Sequence, residues 1–296
     1  MTGIGIKGIG VVRNATSYIE AGSAAARAAL ADAGVPAEDL GVLINAGAAR
    51  DMNISEPAVA ALIQQGADIH PAFRLDEATA PTSFDLLDGV HGFGTAASVI
   101  GDMISLGDID YGMVIVGDVH PSMNPFLTAT FPVRSDVYAV VLGEAENAEL
   151  AVSAAQRTVH APRSEVYAQL NDAGPTARSS IVLDIMEFDD EYFAAVAAAI
   201  TALDGTAGGA DAETGSVLIA PWPESDNARF RAAVGDPGDI TIENFGPEGG
   251  SASYFTASPA AALAYAREAG QGASPRRVLT PSAPSSSVTV VSATGR

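Results

Sequence analysis

Short apolar runs and alanine-rich helical stretches alternate along this chain, and the alternation starts again near its midpoint. Gly3–Val12 reads as a strand, and Ala21–Ala33 as a helix stopped by Gly34 and the following Val35-Pro36. Gly41–Asn45 reads as a short buried strand, Glu56–Gln65 as a helix opened by Pro57, and Phe84–Leu87 as a strand. A helix follows over Gly92–Leu106, then the apolar run Tyr111–Val116 and a further strand, Val137–Leu142. The second half echoes this order. Glu149–Thr158 opens it, and Tyr192–Leu203 with Ser216–Ala220 repeats the first helix and second strand. Ile240–Asn244 and Ser258–Ala269 repeat the strand and helix around Gly89, and Val288–Val291 closes the half. The boundaries predict two units, 1–147 and 148–296. Repeated strand–helix alternation predicts an α/β fold with two sheets buried between helix layers. Ala207–Thr214 and Thr280–Ser287 read as loops.

Charge and composition exclude several functions. Fifteen Lys+Arg against 36 Asp+Glu give a net charge of −21. Such a surface disfavours nucleic acid, whose phosphates demand cations, and anionic membranes equally. No run approaches the ~20 apolar residues of a membrane-spanning helix. Met1–Gly10 lacks the features of a secretion signal, so a cytoplasmic location is expected. The chain has no cysteine, which removes disulfides, thiolate metal sites and cysteine nucleophiles. Lys7 is its only lysine, leaving no Schiff-base residue beyond the N-terminus.

The duplicated halves, and above all FDLLDGVHGFGTAASVIGDMISLG (Phe84–Gly107) followed by YGMVIVGD, resemble the thiolase superfamily and within it β-ketoacyl-ACP synthase III. The resemblance covers most of the chain. It implies βαβαβαββ halves stacked as a five-layered α-β-α-β-α sandwich, dimerisation, and acyl-transfer chemistry by a Cys-His-Asn triad. In that family a helix N-terminus lowers the pKa of the nucleophilic thiol.

The three triad positions read differently here. The Gly92-Phe93 anchor places Val90 where the family has cysteine. The family's Pro-His-Gln-Ala-Asn segment matches LIAPWPESDNARF, with Trp222 in the histidine's place; an indole cannot act as a base. The Gly-rich loop ENFGPEGGSAS leaves Pro247, or Glu248 after a one-residue shift, at the asparagine's position. Trp222 is expected to fill the cavity that a pantetheine arm would occupy. The longer segment after the first strand that carries Trp and Arg for coenzyme A in the family is missing, since Val12-Arg13 runs almost directly into Ala15–Ala24.

Other residues could carry chemistry. His91, with Asp88 upstream and Asp85 earlier still, could serve as a base at a helix start, or simply cap that helix. His120 lies just after the Tyr111–Val116 strand and before Pro121, where a loop-start role is the simpler reading. His70 and His160 sit in polar loops, and no histidine pair has helical metal-ligand spacing. Ser251 and Ser253 are hydroxyls without an adjacent base. Glu187, Asp189, Asp190 and Glu191 precede a helix and suit N-terminal capping. Gly8 and Gly10 lie inside a strand, not after one, which speaks against a phosphate loop.

The resemblance and the missing triad together point to a non-catalytic subunit of a heteromeric ketosynthase III-like condensing enzyme in polyketide or fatty-acyl biosynthesis. Its expected partner is an active, cysteine-bearing paralogue in a heterodimer or heterotetramer, with acyl carrier protein engaged through that partner. No cofactor and no metal are expected. Tyr111, Val114 and Val116 are the candidate dimer edge, and Asp51–Glu56 and Pro121–Val133, with Phe126 and Phe131, the loops reaching across. The alternatives are a cysteine-independent acyltransferase or thioesterase using His91 and Asp88, and an acyl-chain-binding homodimer without activity.

Overall fold

A computed structural model describes residues 4–54, 56–70, 81–129, 131, 133–159, 166–170, 179–183, 187–206, 215–235, 240–245, 254–270, 277–284 and 287–295. The first half runs β1 (Ile4–Val12), α1 (Tyr18–Ala33), β2 (Leu40–Asn45), α2 (Val59–Gly66), β3 (Thr82–Asp85), α3 (Gly92–Leu106), β4 (Tyr111–Gly117), α4 (Pro125–Ala129) and β5 (Val137–Glu144). The second runs β6 (Leu150–Val159), β7 (Val166–Leu170), β8 (Ser179–Leu183), α5 (Asp190–Thr206), β9 (Ser216–Ala220), α6 (Asn227–Val234), β10 (Ile240–Asn244), α7 (Ser258–Glu268), β11 (Arg277–Pro281) and β12 (Ser287–Gly295). The strand order β3-β2-β4-β5-β1 recurs as β10-β9-β11-β12-β6. In each half three strands are parallel and the last two antiparallel, so the duplication read from the sequence holds in three dimensions. The halves join where Ile4–Ile6 pairs antiparallel with Leu150–Val152. The hairpin β7–β8 stands apart from this ladder.

Helices on both faces of each half give five layers. Outside the first half, Tyr18, Ala25 and Ala29 of α1 and Ile63 of α2 pack on Leu43, Met113 and Ile115. In the centre, Phe93, Ala96 and Ile100 of α3 and Ala260 and Leu263 of α7 share one core with strands of both halves. Outside the second half, Phe193, Val196 and Ile200 of α5 and Phe230 of α6 cover Leu218, Leu279 and Val290. Strand β4 is therefore apolar without alternation, because Met113 and Ile115 face one helix layer while Val114 and Val116 face the other.

Local chemistry sets the elements. Ser17 caps α1 by accepting from the Glu20 N–H (3.2 Å), and Gly34 closes it at φ 64°. Gly8 and Gly10 serve packing, since a Cβ on either would collide with the α1 backbone at Ala29 or Ala25.

Four expectations change. Helix α2 starts at Val59, so Pro57 precedes it; the Asp85 carboxylate caps it by accepting from the Val59 and Ala60 N–H groups (2.9 and 2.8 Å). Thr280 and Pro281 belong to β11, not to a loop. Helix α6 has no counterpart in the sequence reading, being eight residues long with Asn227, Arg229 and Arg231 interrupting its apolar positions; Phe230 alone is its fully buried residue. Most consequentially, β4 lies inside the sheet, paired to β2 and β5, so Tyr111, Val114 and Val116 cannot be a dimer edge. The edge is an expectation of the resemblance; the continuous apolar run is what an interior strand with two covered faces requires. The edges of the described sheet are β3 and β10. The expected loop Ala207–Thr214 lies outside the described residues.

Candidate functional site

The segments after β2, β4 and β11 meet those leading into α3 and α7. They enclose a small apolar cluster: Ala48, Val90, Val133, Phe255 and Ala283, with Phe131 against it. Val90 sits in a single 3-10 turn, Gly89–His91, that runs straight into α3, and it is fully buried. The position read as the family's nucleophile is thus a sealed hydrocarbon contact.

Asp118, directly after β4, ties these segments together. Its carboxylate accepts from the N–H groups of Ala48 (3.3 Å), Ala49 (3.0 Å) and Thr256 (2.9 Å), and from the Thr256 hydroxyl (2.7 Å). Burial pushes the Asp118 carboxyl up, against the pull of those donors. A second buried charge, Arg50, pairs with Asp85 at 3.2 Å, and Asp85 also accepts from Asn45 (3.0 Å). Neither Asp118 nor Arg50 stands out in the sequence, because their partners lie far along the chain.

His91 and Asp88 do not form an acid–base pair. The Asp88 carboxylate takes the Thr95 hydroxyl (2.7 Å) and Arg157 (3.2 Å). The His91 ring is buried and bonds two hydroxyls of β12: Nδ1 meets Thr289 and Nε2 meets Ser287 at 2.7 Å. These hydroxyls are the functional-type neighbours that sequence reasoning missed, and no local signal points to them.

Trp222 stands elsewhere. Its ring packs among Phe188, Tyr192, Phe193 and Phe230 in the outer layer under α5 and α6, so it does not fill the space beside Val90. Its Nε1–H donates to Asn227 (3.0 Å), and Asn244 donates to the Trp222 carbonyl (2.8 Å). Asn227 opens α6; registering the family's Pro-His-Gln-Ala-Asn on Asn227 would put Pro223 and Glu224 at its first two positions. Either register leaves the position without histidine.

Pro247, Glu248, Ser251, Ser253 and His160 lie outside the described residues. His120 Nδ1 hydrogen-bonds Ser122 (2.7 Å) and its ring meets Phe131 edge-on at 5.5 Å. His70 hydrogen-bonds the Glu38 carbonyl at 2.9 Å. Asp189 accepts from the Tyr192 N–H (2.7 Å) and so caps α5, as its position suggested. Phe126 is 84% exposed. Among the described residues no three His, Asp or Glu side chains are grouped to hold a metal ion, and no helix is long and apolar enough to cross a membrane.

A duplicated, five-layered α/β sandwich with its loops gathered ahead of two central helices is the thiolase fold. The chain superposes over 99% of its length on 99% of a cysteine-to-serine variant of OleA from Xanthomonas campestris with lauric acid and lauroyl-CoA bound, at TM-score 0.71 and 17% identity. A histidine-to-alanine variant of the same OleA gives TM-score 0.70 at 18% identity, over 99% of this chain and 98% of that one. The 3-oxoacyl-(acyl carrier protein) synthase III FabH from Xanthomonas oryzae pv. oryzae gives 0.67 at 16%, with the same coverage. No family model matches the sequence, and no curated protein matches it. The chain therefore has the fold of the thiolase superfamily, in the form that OleA and the ketosynthase III FabH share.

Proposed function

We propose that this chain is a non-condensing subunit that pairs with a cysteine-bearing ketosynthase III-like homologue, in a pathway that joins or extends acyl chains. The observation that carries this reading is Val90: the fold is kept from end to end, yet the position read as the nucleophile is a buried valine inside an apolar cluster. A side chain without a lone pair cannot take an acyl group. The matched structures point to acyl chemistry, OleA holding lauroyl-CoA and FabH being a 3-oxoacyl-(acyl carrier protein) synthase.

Exposed apolar side chains support a partner. Met52, Met123, Phe126 and Leu127 are exposed on two neighbouring segments, which the Met52 N–H ties together by donating to the Pro121 carbonyl (2.7 Å). Residues of this type gathered on one surface favour burial against another protein. With β4 interior, the edges of the described sheet available for pairing are β3 and β10.

The test is co-expression of the tagged chain with a cysteine-bearing ketosynthase III-like homologue from the same genome. A stoichiometric complex that condenses acyl thioesters, beside an isolated chain that does not, is expected. Condensation by the purified chain alone would overturn the reading. A stable homodimer carrying a lipid-like ligand, with no paralogue bound, would favour acyl-chain binding instead.

A further inference from the structure

Ser287 opens β12, and its hydroxyl lies 2.7 Å from Nε2 of His91, the N-cap residue of α3. On the far side of the ring, Nδ1 meets the Thr289 hydroxyl. Both hydroxyls can donate or accept; in the tautomer whose Nδ1–H donates to Thr289, Nε2 presents its lone pair to the serine. A hydroxyl, a base within hydrogen-bond reach and a third group orienting that base form the arrangement of an activated serine nucleophile. A cation stands beside it, since Arg157 donates to Ser287 Oγ (3.4 Å) and also pairs with Asp88 (3.2 Å).

We propose that Ser287 and His91 form a nucleophile–base pair that cleaves short-chain carboxylic esters and thioesters. This activity belongs to the chain itself and goes beyond its reading as a non-condensing subunit. Ser287 Oγ attacks the acyl carbonyl as His91 Nε2 accepts the hydroxyl proton. The tetrahedral oxyanion forms beside the Arg157 guanidinium. Collapse breaks the bond to the leaving alkoxide or thiolate, which takes the proton from His91. Water then attacks the Ser287 ester with His91 again as base, releasing the carboxylic acid and restoring the serine. No metal, oxidant or further co-reactant is needed. Ser287 and His91 are each 1% exposed, whereas the Arg157 side chain is 47% and that of Asp88 30% exposed, so a substrate must part that ion pair to reach the serine. Val90 and Ala283, near His91 and Ser287 in sequence, belong to the sealed apolar cluster, which leaves room beside the serine for a short acyl group at most.

Absence of cysteine makes the test direct. The whole chain is treated with a fluorophosphonate and digested for mass spectrometry, and hydrolysis of p-nitrophenyl butyrate is followed in parallel. A phosphonyl adduct on Ser287 is expected, lost in Ser287→Ala and slowed about 100-fold in His91→Ala. Thr289 is a positioning residue: Thr289→Val slows labelling, and Thr289→Ser restores it. Ser287→Cys provides a second readout that does not rest on the alanine variant keeping its fold. Its single thiol is expected to react with iodoacetamide in the folded protein, more slowly than that of the exposed control Ser105→Cys but faster than that of the sealed Val90→Cys. No adduct on Ser287 would overturn the proposal, as would labelling indifferent to His91→Ala. A thiol at position 287 that reacts only after denaturation would overturn it too.

Discussion

Asp118→Ala removes one acceptor from beneath four donors. The N–H groups of Ala48, Ala49 and Thr256 and the Thr256 hydroxyl all converge on its carboxylate. Each buried donor left without a partner costs about 1–3 kcal/mol. The removed carboxylate no longer has to be held in a buried site, where desolvation pushes it up, and this offsets part of the loss. Local relaxation lets the Thr256 hydroxyl keep the Gly117 carbonyl, 3.0 Å away. A net destabilisation of about 3–5 kcal/mol is expected, as for other disrupted buried charge networks. Equilibrium urea unfolding can be followed through the emission of Trp222, the single tryptophan. With a slope near the upper end of the usual ~1–3 kcal/mol per molar range, the midpoint falls by about 1 M or more. Asp118→Asn, which retains one carbonyl acceptor, should fall between the two. A loss below about 1 kcal/mol in Asp118→Ala would refute the reasoning, because the segments would then be held without the charged acceptor.

Stability at acidic pH provides a second test through Asp32. Burial pushes its carboxyl up, but Arg267 and the Ile9 N–H (2.9 Å) outweigh that and hold it below its ordinary value. The folded chain then binds this proton less tightly than the unfolded one. Its contribution is full above about pH 3.9 and is lost as the pH falls through the lowered folded value. The side chain is 38% exposed, so about 0.5–1 kcal/mol is expected; the gap in urea midpoint between the native chain and Asp32→Asn should close on acidification, and a gap that widens would contradict it. Asp118 has the opposite sign: its raised folded value gives stability that declines as the pH rises through it, a slope Asp118→Asn should flatten. Gly10→Ala places a methyl group against the Ala25 and Ala29 backbone of α1, with an expected loss of at least about 1–3 kcal/mol in the same unfolding assay; a neutral result would mean α1 can lift off β1. Val90→Cys creates a lone thiol at a fully buried position, so alkylation should wait for unfolding and no condensing activity should appear; rapid labelling in the folded state would show the cluster to be open.

Much of the architecture was legible because it is written in local chemistry. The strand at Tyr111, the helix after Gly92 and the helix stopped by Gly34 each carry their own periodicity or terminator, and the structure places all three there, the last starting three residues earlier at Tyr18. Pro57 misled because a proline suits both a helix's first turn and the segment before it, and Asp85, 26 residues from Val59, decided between them. Helix α6 escaped because it is short and its apolar residues other than Phe230 are small or unburied, and packing of Phe230 under α5 holds it in place.

Sequence alone determined the duplicated strand–helix order and the absence of any thiol, since both are properties of residue type and local spacing. Tertiary structure decided everything that depends on which distant residues meet. It turned β4 into an interior strand, sent the Trp222 ring into the outer layer, and closed four donors over Asp118. It also brought His91 to Ser287, 196 residues away. The physical reason is that a strand's two faces and two edges look alike in a one-dimensional pattern. Only the pairing of the sheets and the layers laid over them select which side chains share a buried site.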